Sequence, residues 1–217
     1  MRVERFAQLA VGLGQLLDLG VEPGVELLLQ QVHLAAHRGG HLDRAEALYR
    51  SVAAEAPLLF VSSFAAGEKG AINAFQLDTA TGTLKPLQRT TGVENPFFLA
   101  LSRDRRFLYS IHAKTFGGKE HEQVAAYALE GRTGALKLLN RQSTRGTASC
   151  YLDVDATGKT VVVANYSTGS VASYPVKADG SLEEAASFIQ HTGSSVDPRR
   201  QKGPYAHSIV VSPDNRF

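Results

Sequence analysis

"LALSRDRRFLYSIH", residues 99–112, consists of a short apolar segment, a polar turn and a second apolar segment. The same order of residue types returns about fifty residues later as "LDVDATGKTVVVAN", residues 152–165, and begins again as "IVVSPDNRF", residues 209–217. Short β-branched and aromatic runs separated by Gly, Asp, Asn and Ser are typical of antiparallel strands joined by tight turns. The three segments therefore predict a fold built from a repeated strand–turn–strand unit.

A second set of matched segments alternates with the first. Its members are "GAINAFQLDTATGTLKPLQ" (70–88), "EQVAAYALEGRTGALKLLN" (122–140) and "GSVASYPVKADGSLEEAAS" (169–187). Each has an aromatic residue at the same place, then a glycine turn with a leucine two residues after the glycine; the aromatic residues are Phe75, Tyr127 and Tyr174. The two sets together predict four strands in each repeat.

A period near fifty residues with four short strands indicates the blade of a β-propeller. The prediction is a mainly β fold in which residues 58–217 form an incomplete β-propeller of about three four-stranded antiparallel blades. The repeat stops inside a blade at "SPDNRF", residues 212–217. We therefore expect an open sheet edge, through which copies of the chain would self-associate.

Residues 1–57 follow a different pattern, with apolar residues at helical spacing, and predict a small α-helical segment. Residues 27–57, "LLLQQVHLAAHRGGHLDRAEALYRSVAAEAP", resemble one tetratricopeptide repeat. One such unit cannot bury its faces alone, which favours a helical appendage or the remnant of a fused array over a peptide-binding groove. His33, His37 and His41 have no carboxylate or cysteine partners around them, so we expect them to face solvent rather than bind a metal.

Composition limits the partners of the protein. The chain has 217 residues, 43% hydrophobic and 20% charged, with a formal net charge of +2, which is too small for a nucleic-acid-binding surface. No apolar run approaches the ~20 residues that span a membrane. The apolar residues near the N-terminus are interrupted by Glu4, Gln8 and Asp18, so we do not expect a signal peptide. The one cysteine, Cys150, is expected to be a small buried thiol. We expect a cytoplasmic protein that binds neither nucleic acid nor membrane.

Three segments resemble the lactonase family of seven-bladed β-propellers: "FLALSRDRRFLYS" (98–110), "VDATGKTVVVANYSTGSVASYPVKADGSL" (154–182) and "QHTGSSVDPRRQKGPYAHSIVVSPDNRF" (190–217). The resemblance covers about residues 58–217. It implies hydrolysis of 6-phosphoglucono-δ-lactone to 6-phosphogluconate in the pentose phosphate pathway, an anionic sugar lactone as the small-molecule partner, and no cofactor or metal. Because a relative acts on carboxymuconate lactones, the fold leaves the substrate open.

The segment "DPRRQKGPYAHS", residues 197–208, carries the candidate catalytic residues. Lactone hydrolysis needs a base that removes a proton from water near neutral pH, and His207 is the candidate for that role. The reaction also needs positive charge beside the oxyanion that forms at the lactone carbonyl, and Arg200 is the candidate for that role. Arg199 and Lys202 are expected to bind the anionic group of the substrate, brought to the same place by the Gly203–Pro204 turn.

Asn165 and Tyr166, in "ANYSTGS" at the end of a strand in the preceding repeat, are the predicted contacts to sugar hydroxyls. His112 occupies the equivalent place one repeat earlier. The cluster "KEHEQ", residues 119–123, is expected to be an exposed hairpin loop, so no metal site is predicted. Tyr151 departs from the family, whose members often have histidine at that position, and this difference puts the activity in question.

Two alternatives to the catalytic interpretation stay open. The cations could be solvated loop residues, with His207 hydrogen-bonded inside a blade and Asn165 serving only the turn. The protein would then be a non-catalytic interaction protein, a helical repeat joined to propeller blades, whose cationic loop binds an acidic partner.

Overall fold

The computed structural model describes residues 56–217. The helices and the tetratricopeptide-like unit predicted ahead of Pro57, with His33, His37 and His41, lie outside this range. Every strand of the described part belongs to one of three antiparallel sheets, which confirms the predicted mainly β fold.

The strands follow the chain order within each sheet. The first sheet contains β1 (Leu58–Ser63), β2 (Ala71–Leu77) and β3 (Leu84–Thr90), with a 3₁₀ turn at Gly67–Lys69; the second contains β4 (Leu99–Leu101), β5 (Phe107–His112), β6 (Gln123–Leu129) and β7 (Leu136–Ser143); the third contains β8 (Ser149–Val154), β9 (Thr160–Asn165), β10 (Ser170–Pro175) and β11 (Ser187–Gln190). Neighbouring strands are antiparallel.

The turn seen in "SRDRRF" has the same geometry in all three repeats. Its first residue donates its backbone N–H to the carbonyl of the sixth, and its fourth residue has a positive φ, which glycine and asparagine tolerate best. The three donor–acceptor pairs are Ser102 and Phe107 (2.9 Å), Asp155 and Thr160 (3.0 Å), and Ser212 and Phe217 (2.7 Å), with Arg105, Gly158 and Asn215 at positive φ. Residues 209–217 therefore begin a further unit.

The first sheet differs from the prediction because it has three strands instead of four. The pairing register shifts just before the aromatic residue in both β2 (Ala74/Phe75) and β6 (Ala126/Tyr127), so these two strands are equivalent. β1 pairs with β2 as β5 pairs with β6, and β1 therefore corresponds to β5, the second strand of its sheet. Ahead of β1 the structure describes only Ala56 and Pro57, which are too few residues to form a strand equivalent to β4. Self-association through an open edge stays a prediction.

The second sheet is buried on both faces, because alternate residues of a strand point to opposite sides. On β5, Tyr109 and Ile111 pack with Leu152 and Val163 of the third sheet, and Leu108 packs with Ile72 of the first. Tyr109 donates its hydroxyl hydrogen to the Gly180 carbonyl (3.1 Å). The sheets are therefore stacked face to face, and the loops at one end of each strand pair lie beside those of the next sheet.

Candidate active site

The turn that follows β9 packs against the loop that leads to His207. Gly169 in this turn has φ +63°, and a Cβ atom there would overlap the Pro204 carbonyl oxygen. Only glycine allows the two backbones to approach so closely. The contact holds "NYSTGS" and "GPYAHS" together, although they come from successive repeats.

Three rings meet at this contact. Tyr166 stacks on Tyr205, with ring centroids 4.8 Å apart, and its ring meets His207 edge to face at 5.5 Å and 86°. The tyrosines are half-buried and His207 is exposed. The structure thus brings together Tyr166 and His207, two of the predicted site residues, and adds Tyr205, which sequence reasoning did not single out. We call Tyr166, Tyr205 and His207 the aromatic cluster.

The predicted cations lie on a short loop that Asp197 closes. The Asp197 carboxylate accepts the backbone N–H of Arg199 (2.8 Å) and of Arg200 (3.2 Å), and its carbonyl accepts the N–H of Gln201 (2.7 Å). The side chains of Arg199, Arg200 and Lys202 are exposed. Within residues 56–217 none of these side chains forms an ion pair with a carboxylate or a hydrogen bond with His207, so the loop presents its charge to solvent.

Asn165 does not reach the surface, contrary to the expectation of a sugar contact. It is fully buried; its Oδ1 accepts the Ser149 hydroxyl (2.6 Å), and its Nδ2 donates to the Thr144 carbonyl (2.9 Å) and to the Ser170 hydroxyl (3.1 Å). The reason is its register position, because as the last residue of β9 it pairs with both Ser149 and Ser170. Asn165 thus fixes the loop that enters β8.

Glu122 fixes the same loop from the other side. Only 3% of this residue is exposed, and its carboxylate accepts the backbone N–H of Gly117 (2.9 Å), of Ala148 (3.0 Å) and of Ser149. The rest of the predicted hairpin loop "KEHEQ" is exposed. Nothing in the sequence separates Glu122 from the exposed Glu120 two positions earlier.

Cys150 joins this loop to the aromatic cluster. The thiol is buried, as expected, and lies 3.2 Å from the His207 carbonyl oxygen, to which it donates a weak hydrogen bond. Burial, with the nearby Glu122 charge, raises the pKa of the Cys150 thiol, which keeps it protonated and able to donate. The backbone of His207 is thus positioned by the loop that Glu122 and Asn165 hold.

Tyr151 packs against Phe98, with ring centroids 4.2 Å apart. The two residues occupy equivalent places at the start of β8 and just before β4. An aromatic contact therefore occupies the position at which the family resemblance led us to expect histidine, and Tyr151 supplies a phenol there instead of an imidazole.

The described residues contain no group of His, Cys, Asp and Glu side chains arranged to hold a metal ion. Within residues 56–217 no helix has the length and hydrophobicity needed to cross a membrane.

Comparison with known proteins agrees with this architecture. The chain is 33% identical to the 6-phosphogluconolactonase of Bacillus subtilis over 159 residues, which cover 73% of this chain and 44% of the relative. The 6-phosphogluconolactonase of Formosa agariphila is 29% identical and covers 73% of this chain and 45% of its own length. The chain thus spans less than half the length of these curated relatives.

Solved structures give the same result. The structure of the periplasmic gluconolactonase PpgL of Pseudomonas aeruginosa superposes with a TM-score of 0.63 at 30% identity, covering 74% of this chain and 46% of that one. A Bacteroides fragilis protein superposes with a TM-score of 0.67 at 35% identity, covering 75% and 44%. The family description "Lactonase, 7-bladed beta-propeller" matches residues 58–217. The three stacked sheets are therefore propeller blades, and the chain belongs to the lactonase family of seven-bladed β-propellers.

Proposed function

We propose that this chain acts in the hydrolysis of 6-phosphoglucono-δ-lactone to 6-phosphogluconate, a step of the pentose phosphate pathway. The observation that carries the proposal is an exposed imidazole, His207, held edge to face against Tyr166, which in turn stacks on Tyr205, and preceded by a loop of exposed cations. The names of the Bacillus subtilis and Formosa agariphila relatives support the same substrate.

In the proposed step His207 accepts a proton from water while the water oxygen bonds to the lactone carbonyl carbon. The bond from that carbon to the ring oxygen then breaks, and the protonated imidazole returns a proton to the ring oxygen, so that the lactone and one water become the open acid. Imidazole suits this exchange because its ordinary titration lies near neutral pH. The edge-to-face contact with Tyr166 fixes the plane of the ring.

The cations would divide two tasks. Arg200 would stabilise the oxyanion that forms at the carbonyl, because guanidinium donors bind developing negative charge. Arg199 and Lys202 would bind the phosphate of the substrate, and the Tyr166 hydroxyl would bind the sugar. The proposed step uses no metal ion, and we place it in the cytoplasm; the Pseudomonas aeruginosa neighbour is described as periplasmic.

The phosphate contact gives the proposal its test. We expect the chain to hydrolyse 6-phosphoglucono-δ-lactone with kcat/KM at least ~10-fold above that for unphosphorylated glucono-δ-lactone, because charge-assisted contacts to the phosphate lower the barrier. In the double variant Arg199→Gln, Lys202→Gln the ratio should fall close to unity. Proton release above the uncatalysed background measures each rate.

Arg103→Gln, at an exposed arginine in the turn between β4 and β5, is the matched control and should keep the ratio. Preference for the unphosphorylated lactone, or for a carboxymuconate lactone as a third substrate, would contradict the proposed substrate. Turnover of none of the three would contradict the enzyme itself and favour the non-catalytic interaction protein.

A further inference from the structure

A cleft of about 520 Å³ opens where the loops of the first two blades meet. It is lined by the turn around Glu68, by Glu94 ahead of β4, by His112 at the end of β5 and by Arg141 on β7. No residue of the aromatic cluster lines it. Its volume falls in the range of small-molecule sites, and all of its walls belong to the described residues.

His112 lies in the wall of this cleft with one polar atom unsatisfied. The residue is 4% exposed; its Nε2 lies 3.1 Å from the Tyr127 hydroxyl oxygen, and its Nδ1 is buried without a hydrogen-bond partner among residues 56–217. A buried polar atom without a partner is unusual in folded proteins. A ligand or a water in the cleft would supply the missing partner.

Nδ1 of His112 lacks a partner in either tautomer of the ring. If Nδ1 carries the hydrogen it lacks an acceptor, and if Nε2 carries the hydrogen Nδ1 lacks a donor. A hydroxyl group can serve as either partner. Burial, with the Arg141 charge, lowers the pKa of His112 to about 3, so the ring is neutral at pH 7.

The charges of the lining indicate the class of ligand. Among the lining residues, Glu68, Glu94 and Glu120 offer carboxylate oxygens as hydrogen-bond acceptors, and Lys114 and Arg141 offer donors. The carboxylates outnumber the cations even without Glu122, whose oxygens are used by backbone N–H groups. An anion would be repelled by this excess, whereas a molecule with several hydroxyl groups both donates to carboxylates and offers Nδ1 of His112 a donor or an acceptor.

We infer that this cleft is a binding site for an uncharged polyhydroxylated molecule of about hexose size, one of whose hydroxyl groups forms a hydrogen bond with Nδ1 of His112. The site is separate from the aromatic cluster and does not depend on the proposed lactone hydrolysis. Glu94 and Glu120 would bind vicinal hydroxyls of the same molecule.

The test uses the 217-residue chain labelled with ¹⁵N at histidine, titrated with D-glucose as the probe. The ¹⁵Nδ1 resonance of His112 should shift and saturate with Kd on the order of 1 mM, the affinity typical of a ligand of this size. His207 should not shift. D-Gluconate and inorganic phosphate should bind at least about 5-fold more weakly, because both are anions.

Two variants separate ligand binding from folding. His112→Phe keeps an aromatic ring but removes Nδ1, and Glu94→Gln changes a half-buried cleft residue without touching the core. Each should weaken glucose binding, followed by saturation transfer to the sugar protons, at least about 3-fold, whereas His191→Ala should leave it unchanged. No shift of His112 at 50-fold excess over that Kd would mean that only water fills the cleft. Tighter binding of gluconate or phosphate would identify an anion site. Either result overturns the inference.

Discussion

Replacing His207 by alanine is expected to lower kcat/KM for 6-phosphoglucono-δ-lactone on the order of 10²-fold. The variant lacks the base that accepts the proton of the attacking water, and a positioned general base contributes about this factor. The fold should not change, because the side chain is exposed and, within residues 56–217, its one aromatic contact is with Tyr166. Proton release from the lactone, corrected for the uncatalysed reaction, measures the rate.

His191→Ala is the matched control, since His191 is also exposed and comes sixteen positions earlier on the same connection. It should retain the rate of the unchanged chain. A loss of less than threefold in His207→Ala would remove His207 from the catalytic step.

Replacing Glu122 by alanine is expected to lower the free energy of unfolding by about 3 kcal/mol. The change leaves the backbone N–H groups of Ala148 and Ser149, both buried, without the carboxylate that accepts them, and a lost buried hydrogen bond to a charged group costs about 1.5–3 kcal/mol. Urea unfolding followed by circular dichroism at the β-sheet band measures the loss.

Glu120→Ala gives the comparison, because Glu120 lies in the same loop but is exposed. Its effect should stay within about 0.5 kcal/mol, as for most surface substitutions. If both variants unfolded at the same urea concentration, Glu122 would not hold the loop that enters β8. The loop leads to Cys150 and so to His207, and we therefore expect Glu122→Ala to lower activity as well.

The repeated architecture could be predicted from the sequence because each repeat has the same pattern of a polar turn between two apolar runs. The turns that begin at Ser102, Asp155 and Ser212 use the same backbone hydrogen bond, and their polar residues stand between apolar runs in the sequence. Tyr127 and Tyr174, which share one place in the second set of segments, are both buried. Such positions depend on strand register and turn type, which residue spacing fixes.

The packing behind the site could not be predicted in the same way. Asn165 and Tyr166 are neighbours in one turn and both are polar, yet Asn165 is buried and bonded to three residues while Tyr166 meets His207. Which of them faces solvent depends on the pairing of β8, β9 and β10. Glu122 is hidden for a similar reason, since its partners at residues 148 and 149 come from a different blade.

The cationic loop shows a further limit. Its residue types indicate anion binding, but its conformation depends on Asp197, whose carboxylate accepts the backbone N–H groups of Arg199 and Arg200 and closes a tight turn. The approach of Pro204 to Gly169, by contrast, joins segments more than thirty residues apart, and neither residue alone signals it.

The assignment of the lactone site to the aromatic cluster is tested most directly by histidine NMR of the 217-residue chain. The chain is titrated with 6-phosphogluconate, the product of the proposed reaction. The product carries the phosphate that Arg199 and Lys202 are proposed to bind, and its carboxylate is formed from the lactone carbonyl that is proposed to react beside His207. We predict that the ring resonances of His207 shift and saturate, while those of the exposed His191 and the buried His112 stay in place. If His207 does not respond, or if His112 shifts in its place, the aromatic cluster is not the lactone site.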